Sequence, residues 1–119
     1  MDMKRGVTHS GPHRDDLGLT LDGRELRHFG SAGQQRTAAI ALRMLERATL
    51  RVARGMEPLL LLDDPFAELD ARRSARILAL LQGAGLGQTV LVVPRESDIP
   101  PELLDLERRG IRAGVVGAA

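Results

Sequence analysis

The chain of 119 residues contains no cysteine, no tryptophan, no tyrosine and a single lysine. Without cysteine there is no disulfide framework and no thiolate chemistry, which agrees with a reducing compartment. Phe29 and Phe66 are the only aromatic residues, so stacking of single-stranded bases on aromatic side chains is excluded as a main activity. No apolar stretch approaches the length needed to span a bilayer, and the polar start Met1-Asp2-Met3-Lys4-Arg5 opens no signal peptide. The expectation is a cytoplasmic protein without a membrane partner. The one lysine is Lys4, between Met3 and Arg5. A phosphate-binding loop of the form Gly-x-x-x-x-Gly-Lys-Ser/Thr, in which backbone amides and a lysine hold nucleotide phosphates, is therefore absent from this sequence.

What is present fits one domain. Hydrophobic residues make up 43% of the chain, enough for a globular core. Lysine and arginine together number 17 against 16 acids, a net charge of +1, so overall charge neither drives the chain onto nucleic acid nor keeps it off. The basic side is almost entirely arginine, whose planar fork suits bidentate contacts with phosphate and carboxylate.

The pattern along the chain is α/β. The segment Val7 to Asp16 carries a Gly-Pro break and reads as a short strand and a loop. Leu17, Leu19 and Leu21 alternate, Asp22-Gly23 follows, and Leu26 and Phe29 come after, the signal of a β-hairpin on a tight turn. From Ala32 to about Arg54, Ala38, Ala41, Leu42, Leu45 and Val52 recur at helical spacing, predicting the longest helix. Gly55 and Pro58 end it. Leu59 to Leu62 and Thr89 to Val93 read as parallel strands buried on both faces, the second stopped by Pro94. Between them, Asp70 can cap a helix from Ala71 to about Gln82 with Ile77, Leu78 and Leu81 toward a core, and Gly83, Gly85 and Gly87 break the chain. Pro101 and Gly110 bound a short predicted helix through Leu103, Leu104 and Leu106, before a final strand near Ile111 to Val116. Such a small parallel sheet is expected to leave edges and an apolar face exposed.

Two segments carry chemistry. Ser31-Ala32-Gly33-Gln34 opens the long helix with Ser at the cap and Gln three residues on, a capping box. First-turn amides are unsatisfied and sit at the positive end of the helix dipole, so with only Ala and Gly beside them they can receive a phosphate. On spacing alone, mutual capping of Ser31 and Gln34 is the commoner outcome. The second segment, Leu59-Leu60-Leu61-Leu62-Asp63-Asp64, places two carboxylates at a strand's carboxyl end, where open α/β sheets bind ligands. One carboxylate suits Mg²⁺, which keeps most of its waters, and the next can orient or deprotonate a water. The alternative is a polar turn made by Asp63, Asp64 and Pro65. Smaller signals are His13 with Asp15 and Asp16, which read as a metal site or a hydrogen-bonded turn, and Arg43, Arg47, Arg51 and Arg54 at one-face spacing, which read as a DNA-backbone contact or a solvated face.

Three segments in order, Gly11-Pro12-His13-Arg14-Asp15-Asp16-Leu17, Phe29 to Ala38 and Leu59 to Asp70, resemble the C-terminal part of the RecF family of bacterial DNA replication and repair proteins, over nearly the whole chain. The resemblance implies the later part of an ABC-type (P-loop NTPase) ATPase head with a parallel sheet preceded by a β-hairpin, divided into loop and hairpin (1–30), signature helix (31–57), and Walker B, D-loop and C-terminal sheet (58–119). By that resemblance Ser31, Gly33 and Gln34 are the signature motif that contacts the γ-phosphate of ATP held by the other subunit of a head-to-tail homodimer. Asp63 is the Walker B aspartate that holds Mg²⁺ through water, Asp64 polarises the attacking water, and Asp70 belongs to the D-loop at the dimer interface. The family implies a weak DNA-dependent ATPase that binds gapped or single-stranded DNA when ATP closes the dimer, acts with RecO and RecR, and takes part in the SOS response. Two departures stand out: the phosphate loop is absent, and Pro94-Arg95-Glu96 stands where ABC ATPases carry a γ-phosphate-sensing switch residue. Alternatives are a non-enzymatic DNA-binding or interaction fragment and a piece of another ABC-type ATPase, such as a transporter domain.

Overall fold

The computed structural model describes residues 16–83 and 87–119. The expected strand and loop from Val7 onward, His13 and Asp15 of the small acidic cluster, and Gly85 lie outside those residues. Asp16 is described, and its carboxylate pairs with Arg27 at 2.7 Å.

A tight hairpin comes first: β1 (Thr20–Leu21) pairs antiparallel with β2 (Arg24–Glu25), Thr20 opposite Glu25 and Leu21 opposite Arg24. Asp22 and Gly23 both take positive φ, 52° and 78°, the left-handed pair that matches strand twist in a two-residue turn. The hairpin is shorter than its alternating leucines predict. Leu26 to Phe29 do not continue it but form one helical turn, α1 (Leu26–Phe29), with Leu26 buried and its amide bonded to the Leu19 carbonyl at 2.8 Å.

The long helix α2 spans Ala32–Arg54 and ends at Gly55, whose φ of 65° and N–H bond to the Arg51 carbonyl make a left-handed cap. Its buried side differs from the one the leucines suggest. Leu42, Leu45 and Val52 are exposed, whereas Gly33, Ile40 and Arg47 are buried and Met44 packs on the core. Apolar residues surround much of this helix, so periodicity alone does not single out the packed stripe.

Strand β3 (Leu60–Asp63), helix α3 (Ala71–Gly83) and strand β4 (Thr89–Val92) form a β-α-β unit, the strands parallel with Leu61 beside Val90 and Asp63 beside Val92. The core is Ile40 from α2, Leu60 and Leu62 from β3, and Ile77 and Leu81 from α3, with Met44, Phe66, Leu69 and Leu91 against it. Leu78 is also buried. These strands are not buried on both faces as their apolar runs predict, but they do leave the exposed apolar face expected of so small a sheet: burial alternates, and Leu59, Leu61, Val90 and Val92 are exposed.

Beyond β4 the chain departs further from expectation. A 3₁₀ turn occupies Glu96–Asp98, and no helix forms after Pro101, where turns run to residue 105. A short helix depends on packing an apolar face, and Leu104 is 80% exposed. The final strand is two: β5 (Arg109–Arg112) and β6 (Val115–Ala118) make an antiparallel hairpin with positive φ at Ala113 and Gly114. Ile111, Val115 and Val116 on it are exposed. The molecule is thus mixed α/β with three two-stranded sheets among the described residues.

Candidate functional site

The start of α2 is a complete capping box. The Gln34 amide donates to Ser31 Oγ at 3.1 Å, and the Ser31 amide donates to Gln34 Oε1 at 2.9 Å. Ser31 has extended backbone, as a cap residue must, and is exposed. The commoner outcome of that spacing is therefore present, with the Ser31 hydroxyl still reachable from outside.

The second segment begins with Asp63 as the last residue of β3, exposed. Asp64 takes a left-handed conformation, φ 46°, while its amide donates to the Val92 carbonyl at 2.7 Å. That bond carries the ladder one residue past the strand and then turns the chain sharply. A further left-handed residue, Glu68 at φ 61°, bends the loop back so that Asp70 reaches the start of α3. There the Asp70 carboxylate accepts from the Arg73 amide at 2.8 Å, a helix cap as the sequence predicts.

Two contacts bring the segments together. Arg36, one turn into α2, donates to the Asp64 carbonyl at 2.8 Å. Gly33 is buried against the far side of the same loop: a Cβ there would lie 3.0 Å from the Glu68 carbonyl oxygen, 3.0 Å from Arg73 Nη1 and 3.5 Å from Leu69 Cδ2. The helix start and the acidic loop are thus packed as one unit. Gln35 secures its other side, its amide reaching the carbonyls of Leu26, Arg27 and Gly30 at 3.3, 3.0 and 3.2 Å. Gln35, Arg36 and Arg73 carry this arrangement without any local pattern that marks them, since their partners lie across turns or 28 residues away.

Asp64 and Glu68 also line a cleft of about 640 Å³ whose other wall comes from Pro94, Arg95, Ser97 and Asp98 beyond β4. Arg95 is bidentate to Asp98, both contacts 3.1 Å. The Asp98 carboxylate, by hydrogen bond and then by charge, raises the exposed Arg95 guanidinium above its ordinary value, and the Asp64 charge adds to this. Ser31, Gly33, Gln34 and Asp63 are not among the residues lining this cleft. The expected site residues therefore face different spaces: Asp64 looks into the cleft, Ser31 outward from the helix start, and Asp63 from the exposed face of the sheet.

The donor set fits a hydrated Mg²⁺ better than a protein-enclosed metal. Among the described residues no group of three His, Cys, Asp or Glu side chains comes together to hold an ion. One exposed aspartate, Asp63, suits a cation that takes a single carboxylate and completes its shell with water and phosphate oxygen. The arginine stripe on α2 is largely a solvated face: Arg43, Arg51 and Arg54 are exposed, Arg43 binding Glu46 at 2.7 Å, whereas Arg47 is buried and paired with Glu57, whose carboxylate Arg51 approaches at 3.7 Å. Among the described residues no helix is long and apolar enough to cross a membrane.

No protein-family model matches the chain. Individual curated proteins do. It is 45% identical over 112 residues, 94% of its length, to the DNA replication and repair protein RecF of Magnetococcus marinus. The chain belongs to the RecF family. RecF of Chloroflexus aurantiacus is 44% identical over 108 residues, 91% of this chain, and RecF of Frankia alni 45% over 102 residues, 86% of it. The chain spans only 29%, 27% and 26% of the lengths of these RecF proteins, consistent with a C-terminal portion of RecF.

Proposed function

We propose that this chain supplies one side of a composite ATP site in a RecF-type DNA repair ATPase: the signature motif at the start of α2, the Walker B carboxylates after β3 and the D-loop between Glu68 and Asp70. The observation that carries this reading is the packing of Gly33 on Glu68 and Leu69, which joins the helix start and the loop into one packed part. Rigid placement of donors and carboxylates is what a phosphate-transfer site requires of its protein.

Within that part the roles divide by where each group faces. Asp63, on the exposed sheet face, would hold Mg²⁺, which would neutralise phosphate charge. Asp64, in the cleft with its carbonyl fixed by Arg36, orients the attacking water. Ser31, exposed at the helix start, faces outward, where its hydroxyl meets phosphate held by another subunit. The sequence contains no phosphate loop, so nucleotide is held by residues outside it. Its relatives' part in DNA replication and repair extends to this chain as ATP-dependent DNA binding at gaps in a homodimeric assembly with RecO and RecR. A purely DNA-binding fragment is less favoured, because Arg47 is buried and paired with Glu57.

The purified 119-residue chain with Mg²⁺ and ATP is expected to release phosphate at the rate of buffer alone. Phosphate release well above that rate, abolished by Asp63→Ala, contradicts the proposal.

A further inference from the structure

The turn that follows β3 keeps Asp64 in a conformation its own sequence disfavours. Asp64 has φ 46°. Aspartate visits this left-handed region more readily than most residues, but the next residue is Pro65, whose ring pushes the backbone before it toward extended values. Pro65 is buried, so the ring is held in place by packing. Two bonds from outside the turn oppose relaxation: the Asp64 amide donates to the Val92 carbonyl at 2.7 Å, and the Asp64 carbonyl accepts from Arg36 Nη1 at 2.8 Å. Inside the turn the same carbonyl has only the longer bond from the Ala67 amide, 3.3 Å. A non-glycine residue held at positive φ by its surroundings is the kind of constraint that clusters at functional sites.

Arg36 is the partner that local structure does not supply. It is half-buried, one turn into α2, and among the described residues it pairs with no carboxylate. Its charge is directed to a single carbonyl 28 residues away, and a charged donor makes a stronger bond than a neutral one. With Asp64 orienting the attacking water, as in the functional reading above on which this step rests, we infer that Arg36 is a positioning residue. Its bond to the Asp64 carbonyl holds Asp64 at positive φ, on the wall of the cleft that Asp64 lines. Loss of that bond lets the peptide unit after Asp64 turn toward the extended backbone that Pro65 favours, and the carboxylate, borne by the same residue, moves with it. One hydrogen bond thus ties the carboxylate of one half-site to the helix whose start serves the other.

The chain by itself, without ATP, gives the first readout. The nuclear Overhauser effect between the Asp64 amide and its own Hα is strong at positive φ and weak in extended backbone. It is expected to be strong in wild type, to fall in Arg36→Met, which removes the donor, and to return in Arg36→Lys, which keeps a charged one. Arg43→Met, on the solvated face of the same helix, is the control and is expected to match wild type. Circular dichroism matching wild type keeps unfolding from counting as a lost effect. If Arg36→Met fails that check, Arg36→Gln, too short to reach the Asp64 carbonyl, is read in its place. The second readout is ATP turnover by this chain in complex with the unmatched part of Chloroflexus aurantiacus RecF. Arg36→Met is expected to lower kcat about tenfold to a hundredfold while KM for ATP stays within about twofold, and Arg36→Lys to recover most of the loss. A folded variant without the donor that keeps the Asp64 effect at wild-type strength, or that loses the effect yet keeps full kcat, overturns the inference. A wild-type complex that never turns over ATP contradicts the functional reading alone, because the Asp64 effect still decides whether Arg36 holds that conformation.

Discussion

Gly33 shows how a residue named by a motif does two jobs. As part of a Ser-x-Gly-Gln helix start it reads as an opening through which phosphate approaches backbone amides. In the structure that lack of a side chain is filled from within, by the Glu68 carbonyl and Arg73 guanidinium at 3.0 Å from where a Cβ would stand. Valine there must push a backbone carbonyl aside, so Gly33→Val is expected to cost about 1–3 kcal/mol. Gly18, with nothing within 4 Å of an added Cβ, is the control, and Gly18→Val is expected to stay within about 0.5 kcal/mol. Urea midpoints at constant m-value measure both, and equal midpoints contradict the packing described. At this scale the sequence was informative about identity and silent about partners. Asp63, Asp64 and Asp70 stand where their segment implied, whereas Arg36 and Gln35 acquire their roles only when distant carbonyls arrive. Of the arginine stripe only Arg47 departs from a solvated face, and for the same reason: it is buried and paired with Glu57, past the helix end.

At the scale of elements, local chemistry decides which expectations hold. α2 begins and ends where Ser31 and Gly55 direct, because each supplies the bond or conformation a helix end needs. α3 buries Ile77, Leu78 and Leu81 as its spacing predicts. Where pattern lacked such a device, it failed. Prolines at 100 and 101 begin no helix, because Leu104 has nothing to pack against, and a run from Ile111 to Val116 breaks at Ala113-Gly114, where both residues adopt positive φ although only the glycine signals it. Cap and phosphate contact can be separated experimentally at Ser31. Ser31→Ala is expected to lose about 1 kcal/mol of stability with the cap. Ser31→Asp keeps a capping acceptor, so its urea midpoint is expected near wild type, but it sets a negative charge where phosphate is to come. In the complex with the phosphate-loop part of a relative, Ser31→Asp should therefore lower ATP turnover more than Ser31→Ala does. Turnover that simply follows stability across the pair makes the residue a cap and nothing more.

For the whole molecule, the decisive fact is that its parts face outward in different directions. The sequence made both chemical segments legible but not their relation, since burial on two faces was expected of strands that are bare on one. Leu61 and Val90 read as core in a leucine-rich run, and only the one-sided packing of α2 and α3 shows them to be surface. Asp64 lies in the cleft beside Arg95 and Ser31 outside it, and the proposed function has one chain contribute to two half-sites. The most direct measurement mixes two disabled proteins. In the assembled ATPase, let one population carry Ser31→Arg and the other Asp64→Asn, each expected to be inactive by itself. A mixed dimer then has one site with both defects and one with neither, so mixing is predicted to restore ATP turnover. If the mixture stays as inactive as either variant alone although mixed dimers form, signature and carboxylate act in the same site and the account is wrong.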